Sequence, residues 1–179
     1  MAVEAQQVDQ TPDTKADLQD VIPHDNDLVV ISLVTIGRKV HRVLVDQGSS
    51  TDVMFKTTFN KLQLSTYQLR PYTRCLFGFT GDQVEVRGHI ELRTTFTDGT
   101  TSRTTNIGYL IVTAPSAYNI LLGRSTLNRI SAVASTRHMK MKLPSLEGTM
   151  ITIKSDQKEA KKCNKNSLKT KREVFAVTT

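Results

Sequence analysis

The chain has 179 residues and a net charge of +7, a length that suits one domain with tails. It contains no apolar run of roughly 18 residues or more, which predicts no membrane-spanning helix, and residues 1–27 lack the order of a secretory signal. Its two cysteines, Cys75 and Cys163, are too few for a disulfide framework and lack metal-ligand spacing. This predicts a reducing, intracellular and cytoplasmic setting without secretion.

Charge is unevenly spread. Residues 1–27 carry seven acids against one Lys, residues 28–146 fifteen bases against six acids, and residues 147–179 eight bases against four acids. The central bases stand singly with few aromatics among them, unlike the one-faced basic patch of a nucleic-acid binder. The basic tail reads as a solvated linker. Neither membrane nor nucleic acid is an expected partner.

Residues 1–20 are polar, acidic and nearly free of large apolar side chains, which predicts disorder. A domain is expected over 21–153. Leu28–Ile36 is a β-branched run, and Gly37-Arg38 turns it into Val40–Val45, a hairpin whose second strand delivers Asp46. Asp46-Gln47-Gly48-Ser49-Ser50 is a tight polar loop. Apolar positions at Phe55, Phe59 and Leu62 suit a helix within Val53–Leu64. Thr73–Phe79 and Gln83–Phe96 read as strands joined across Thr80-Gly81-Asp82. Asp98-Gly99 marks a hairpin into a strand reaching Val112. Ile120-Leu121-Leu122, ending at Gly123, suits a short strand buried on both faces. A short helix over Arg124–Ile130 and strands near Ser131–Ser135 and His138–Leu143 complete the domain. Residues 154–179 are expected to be a basic, polar linker. Strands outnumber helices, so the fold class is mostly β, a closed or sandwiched domain.

Peptide hydrolysis without a metal or a covalent intermediate needs a base to activate water and an acid to protonate the leaving group. Two carboxylates sharing one proton fill both roles, because like charges at short range cannot both ionise. Asp46 follows the apolar strand Val43-Leu44-Val45, and Gly48 lets the backbone fold tightly behind it. Asp98-Gly99, in a Thr-rich stretch, is ordinary turn chemistry. Asp52 fits a loop or helix-start cap better than a second acid. Ser49 and Ser50 have no His in a base position. His24, His41, His89 and His138 form no pair at ligand spacing, so no metal is expected. Tyr118 and Asn119 suit substrate contact and packing equally, and Cys75 reads as a small apolar residue at a strand start.

Several segments, in order, carry a family resemblance. They are PHDNDLVV (23–30), VLVDQGSS (43–50), LFGFTG (76–81), APSAYNILLGR (114–124), TLN (126–128), AVASTRH (132–138) and DQKEAKKC (156–163). Together they resemble the protease region of plant gypsy-type LTR retrotransposon polyproteins, over roughly four-fifths of the chain. The resemblance implies a retropepsin-like closed barrel with one or two short helices, completed as an active site by homodimerisation. It implies that Asp46 is the catalytic carboxylate, with Gln47, Gly48 and Ser49 in its loop. Phe79, Thr80, Gly81 and Asp82 would form a flap over substrate. Ile120, Leu121, Leu122 and Gly123 would be the strand bracing the loop. No second D-[ST]-G follows, so the partner Asp would come from another copy. The implied activity is aspartic endopeptidase, acting on the element's own Gag-Pol polypeptide without a cofactor. One departure stands out. Gln47 occupies a position where the family usually has Thr or Ser, whose hydroxyl bonds across the dimer axis. It supports an alternative, a degenerate module that dimerises or binds peptide without cutting.

Overall fold

The computed structural model describes Leu18, residues 20–22, 26–78 and 81–176, with side chains as far as residue 167. Strand β1 (Val30–Thr35) turns at Ile36-Gly37 into β2 (Arg38–Val45). Both turn residues have positive φ, at 46° and 74°. The register moves from Ile31↔Val43 to Leu33↔Val40, so β2 carries one extra residue, and Arg42 takes φ 55° there. This is a β-bulge.

The chain continues through β3 (Asp52–Phe55), α1 (Lys56–Lys61) and a 3-10 turn over Thr66–Gln68. Two-residue strands β4 (Leu76–Phe77) and β5 (Gln83–Val84) form a small hairpin. The long pair β6 (Val86–Thr97) and β7 (Ser102–Val112) turns at Asp98-Gly99, as expected. Next come β8 (Ile120–Leu122), α2 (Arg124–Arg129), β9 (Val133–Ser135), β10 (Lys140–Pro144) and β11 (Met150–Lys154).

Six strands close a barrel in the order β1-β2-β8-β3-β7-β6. Strand β8 is parallel to β2 and antiparallel to β3, and it lies between them. The loop from β2 to β3 must therefore cross the end of β8. A separate antiparallel sheet, β11-β10-β9, contributes Met141, Leu143, Ile151 and Ile153 to the barrel core. The mostly-β closed barrel with short helices agrees with the sequence.

The apolar runs are continuous because the wall is buried on both faces. Ile31, Val43, Met54, Ile120 and Leu122 point into the barrel with Phe96, Ile107 and Tyr109. Their neighbours Val30, Leu44, Val53, Phe55 and Leu121 point outward into a second cluster with Val112 and Tyr118. Strand side chains alternate faces, so a run apolar at every position has a partner layer on each side.

That second layer is closed by α3 (Gln157–Ala176), a helix in the stretch where the sequence suggests a polar linker. Ala160 and Cys163 are buried in the outer cluster. Asp156 Oδ1 accepts the Glu159 N–H at 3.1 Å and caps the helix start. The approach is fixed by hydrogen bonds. Ser155 Oγ accepts the Val30 N–H at 2.8 Å, and the Asp156 N–H donates to Val30 O at 2.8 Å. The Gln157 amide pairs with the Ile22 backbone at 2.9 and 3.0 Å. No helix among the described residues is long and apolar enough to cross a membrane.

Two outcomes test this account. Deleting residues 155–179 uncovers the outer cluster and orphans the Val30 and Ile22 backbone groups. The melting midpoint should fall by several degrees, at roughly 2–8 °C per kcal/mol for domains of this size range. An unchanged midpoint would show that the helix carries no packing energy. Asp98 gives the second. Backbone N–H groups of Thr101 and Thr100, then the Thr100 hydroxyl, hold its carboxyl well below the usual range. The unfolded chain binds the proton more readily, so this stabilisation is present above about pH 4 and fades as pH falls further. Asp98→Asn should lower stability at neutral pH, with the difference from the parent shrinking in acid. A pH-independent difference would contradict the linkage.

Candidate active site

Asp46 leaves the end of β2 where Val45 is in register with Leu122 of β8. Its N–H donates to Leu122 O at 2.9 Å, tying the loop to that strand. The carboxylate folds back on its own loop, with Oδ1 accepting the Gly48 N–H at 3.0 Å. A Cβ at residue 48 would lie 3.3 Å from that same oxygen, so glycine leaves the carboxylate room. The Ser49 N–H reaches Asp46 O at 3.3 Å, and Ser49 Oγ donates to Thr51 O at 3.0 Å. These bonds use Ser49 as a loop brace. Asp46 is part-exposed and Gln47 and Gly48 are exposed, so the loop presents its carboxylate at the surface.

Directly behind the loop, the chain leaves β8 through Gly123. A Cβ there would lie 2.2 Å from Thr51 O and 2.9 Å from Ser49 O, closer than backbone atoms permit. Only glycine fits. The Arg124 N–H then donates to Ser49 O at 2.9 Å. The predicted loop residues and bracing strand are thus one assembly.

Asp52 locks it. Its side chain is buried, with Oδ1 accepting the Gly123 N–H at 2.8 Å and Oδ2 accepting the Ser125 and Thr126 hydroxyls at 2.6 and 2.7 Å. Helix α2 has no side-chain cap of its own. A carboxylate from β3 instead binds the Gly123 N–H and the Ser125 and Thr126 hydroxyls, welding the start of α2 to the loop's far end. The sequence suggests a loop or helix-start cap for Asp52; it lies instead in β3 and ties that strand to Gly123, across 71 residues of chain.

Asn119 also has a structural role. Its Nδ2 donates to His41 O at 2.7 Å, its N–H to Arg42 O at 2.9 Å, and its Oδ1 accepts the Thr58 hydroxyl at 3.0 Å. It fastens the β2 bulge to α1. Tyr118 lies in the outer cluster, its hydroxyl pushed up by burial.

The hairpin β4–β5 is a separate element. The Gly78 N–H donates to Asp82 O at 2.8 Å, and Gly81, at φ 83°, donates to Gly78 O at 3.0 Å. Leu76 and Val84 root it on the outer cluster. Of the predicted flap residues, Gly81 and Asp82 are exposed in its turn, while Phe79 and Thr80 lie outside the described residues. Cys75, read as an apolar strand start, is an exposed free thiol beside this hairpin. His24 also lies outside the described residues. Among the described residues, no three His, Cys, Asp or Glu side chains gather as a metal site.

Gln47 makes a contact the sequence did not reveal. Its Nε2 donates to Ala134 O of β9 at 3.3 Å, within the same chain. The pairing crosses 87 residues with no local signal, so only the fold exposes it.

No protein-family profile matches the sequence, and no curated protein matches it in a sequence search. Solved structures do match in shape. The retroviral protease-like domain of Ddi1 from Leishmania major aligns at TM-score 0.53 and 13% identity, over 75% of this chain and 94% of that one. EIAV protease, complexed with the inhibitor HBY-793, aligns at TM-score 0.48 and 22% identity, over 64% and 99%. A retropepsin-like aspartic protease from Rickettsia conorii aligns at TM-score 0.44 and 18% identity, over 69% and 80%. At 13% identity the first of these is a likeness of fold alone, and the fold is retropepsin-like.

Gly123→Ala and Asp52→Ala test the assembly. The first forces the Asp46 loop off β8, an overpacking that costs about 1–3 kcal/mol or more. The second leaves a buried N–H unpaired, at about 1–3 kcal/mol. Both should lower the denaturant midpoint, whereas Gly148→Ala, at a positive-φ turn with open space around it, isolates backbone strain alone. Wild-type stability in Gly123→Ala would contradict the close approach.

Proposed function

We propose that the chain is an aspartic endopeptidase whose active site forms between two copies, each supplying Asp46. The observation that carries this is the Asp46 loop. Its part-exposed carboxylate accepts the Gly48 N–H, its backbone N–H is tied to Leu122 O, and Asp52 fixes the chain behind the loop by way of Gly123. Catalytic carboxylates must stay within a fraction of an ångström of their working geometry, and such bracing serves that need. The retropepsin-like fold agrees with it.

In this proposal the two Asp46 carboxyls share one proton and hold a water between them. The ionised partner takes a proton from the water as it attacks the peptide carbonyl. The protonated partner polarises that carbonyl, and the dyad then returns a proton to the leaving amine. The substrate lies extended between the β4–β5 hairpin and the loop, bonded as an added strand. No cofactor takes part. The sequence resemblance points to the polyprotein of an LTR retrotransposon as the natural substrate.

A second reading has one specific observation in its favour. The Gln47 amide is engaged with Ala134 of its own chain, where a bond across the axis is the expectation. On that reading the fold persists as a dimerising or peptide-binding module without cleavage.

Asp46→Asn separates the two. An amide cannot share the dyad proton, so peptidase activity should fall by at least about 10²–10⁴-fold with the melting curve unchanged. Mixing an excess of the variant into the parent protein should also poison activity, because mixed dimers lack one carboxyl. Undiminished cleavage by Asp46→Asn would remove Asp46 from the mechanism. A parent that binds peptides tightly and never cuts them would establish the second reading.

A further inference from the structure

A cleft of about 690 Å³ lies on the outer face of the β6–β7 pair. Ile90, Leu92, Ile107 and Tyr109 point into the barrel, so the alternate residues of both strands face outward. The floor holds Glu91 opposite Gly108 and Arg93 opposite Asn106. Arg70 forms one bank, and Arg129, at the end of α2, forms the other. The cleft is remote from Asp46. Val30 pairs with Leu44 at the Asp46 end of β1, whereas the Ile36 N–H meets Arg93 O beyond its other end. The extended stretch from Val30 to Ile36 spans roughly 20 Å.

Charge in the cleft is unbalanced. Arg70, Arg93 and Arg129 are exposed, against the single carboxylate of Glu91. Arg129 donates to Asn106 O. Neither Arg70, Arg93 nor Glu91 is in an ion pair among the described residues. The floor is also open. A Cβ at Gly108 would meet nothing within 4 Å, and its φ is not in the left-handed region. Neither packing nor backbone calls for glycine there, yet a side chain would project into the cleft. A strand glycine of this kind marks a place where another chain or ligand can approach closely.

The β6 edge is unfinished as well. His89 exchanges both backbone bonds with Arg70 at 2.9 Å, and Arg93 O accepts the Ile36 N–H at 3.0 Å. Ladder bonds alternate sides, so Glu91 between them turns its N–H and C=O the same way. Those two groups have no backbone partner among the described residues.

We infer that this cleft binds an extended peptide segment rich in Asp and Glu, seated on Arg70, Arg93 and Arg129. Guanidinium forks match carboxylates in paired, charge-assisted bonds. Gly108 gives the segment room, and the Glu91 backbone offers it a strand edge. A nucleic acid fits less well, because Glu91 sits among the arginines and no Phe, Tyr or Trp lines the cleft for base stacking. The site stands apart from the Asp46 dyad, so occupancy is read on uncut peptide.

The probe is a fluorescently labelled hexaglutamate peptide, titrated with the full chain and followed by anisotropy. Physiological ionic strength screens general attraction to the net charge of +7. Arg93→Glu should weaken binding by roughly 10-fold or more, with folding checked by circular dichroism. Lys165→Glu makes the same charge change at an exposed position on α3 and should bind like the parent. Gly108→Gln leaves the charge alone, fills the floor and should also weaken binding. Should Arg93→Glu fail to fold, Arg70→Glu carries the same test. A parent that does not bind hexaglutamate would overturn the site. So would equal losses in Arg93→Glu and Lys165→Glu, the mark of general attraction, or parent-like binding by Gly108→Gln. An oligouridylate that binds more tightly than hexaglutamate, and is lost in Arg93→Glu, would overturn the peptide and assign the cleft to nucleic acid.

Discussion

The architecture around Asp46 depends on one close approach, the passage of the chain out of β8 beneath the loop from β2 to β3. Because β8 is inserted between β2 and β3, the loop cannot take a direct path and must arch over the end of β8. The space left at Gly123 is smaller than a methyl group. Removing the side chain there lets Thr51, Ser49 and the start of α2 meet backbone to backbone. Asp52 then fills the electrostatic need of that junction with a single carboxylate. Loop rigidity follows from topology first and from hydrogen bonds second.

The barrel wall shows how a domain of modest size makes such a loop stiff. A small barrel alone buries one face of its strands, and the outer face stays wet. Here β8, Val53–Phe55 of β3 and the loop-proximal ends of β1 and β2 are apolar on both faces, and α3 and the β4–β5 hairpin close the outer side. The strands under the Asp46 loop are therefore sandwiched, which limits their motion because packed interiors yield little. The helix is drawn into place by polar contacts from Ser155 and Asp156 to Val30 of β1 and from Gln157 to Ile22. The N-terminal and C-terminal ends of the folded region hold one another.

Gln47 and Ala134 connect this stiff assembly to the small β9–β11 sheet. A Thr hydroxyl at residue 47 would sit on a shorter arm, whereas Gln has a longer one and reaches β9 of its own chain. The cost is ordering a flexible polar side chain, up to roughly 2 kcal/mol. The result is that loop and sheet edge are mechanically joined within one chain.

Much of this was legible in the sequence, for local reasons. β-branched runs, the Asp98-Gly99 turn, the Ile120–Leu122 strand and Gly48 act through neighbours a few residues away, whereas Gly123 answers to Thr51 and Ser49 from across the chain. The order strand, Asp-x-Gly, strand and later apolar strand pointed to Asp46, and the family resemblance it carried nominated the brace. Signals for α3 were present too, in Asp156 and Glu159 at capping distance and in the spacing of Ala160 and Cys163. Lysine-rich composition outweighed them, because an amphipathic helix with only small apolar residues on its inner face looks solvated until the surface it covers is known. The Asp52 tie to the start of α2, the Asn119 clasp and the Gln47–Ala134 bond join segments 61 to 87 residues apart. Sequence determined which residues were capable of such bonds. Only the tertiary structure decided which partners they took, because a hydrogen bond is chosen by proximity, and proximity across the chain is set by how the strands close.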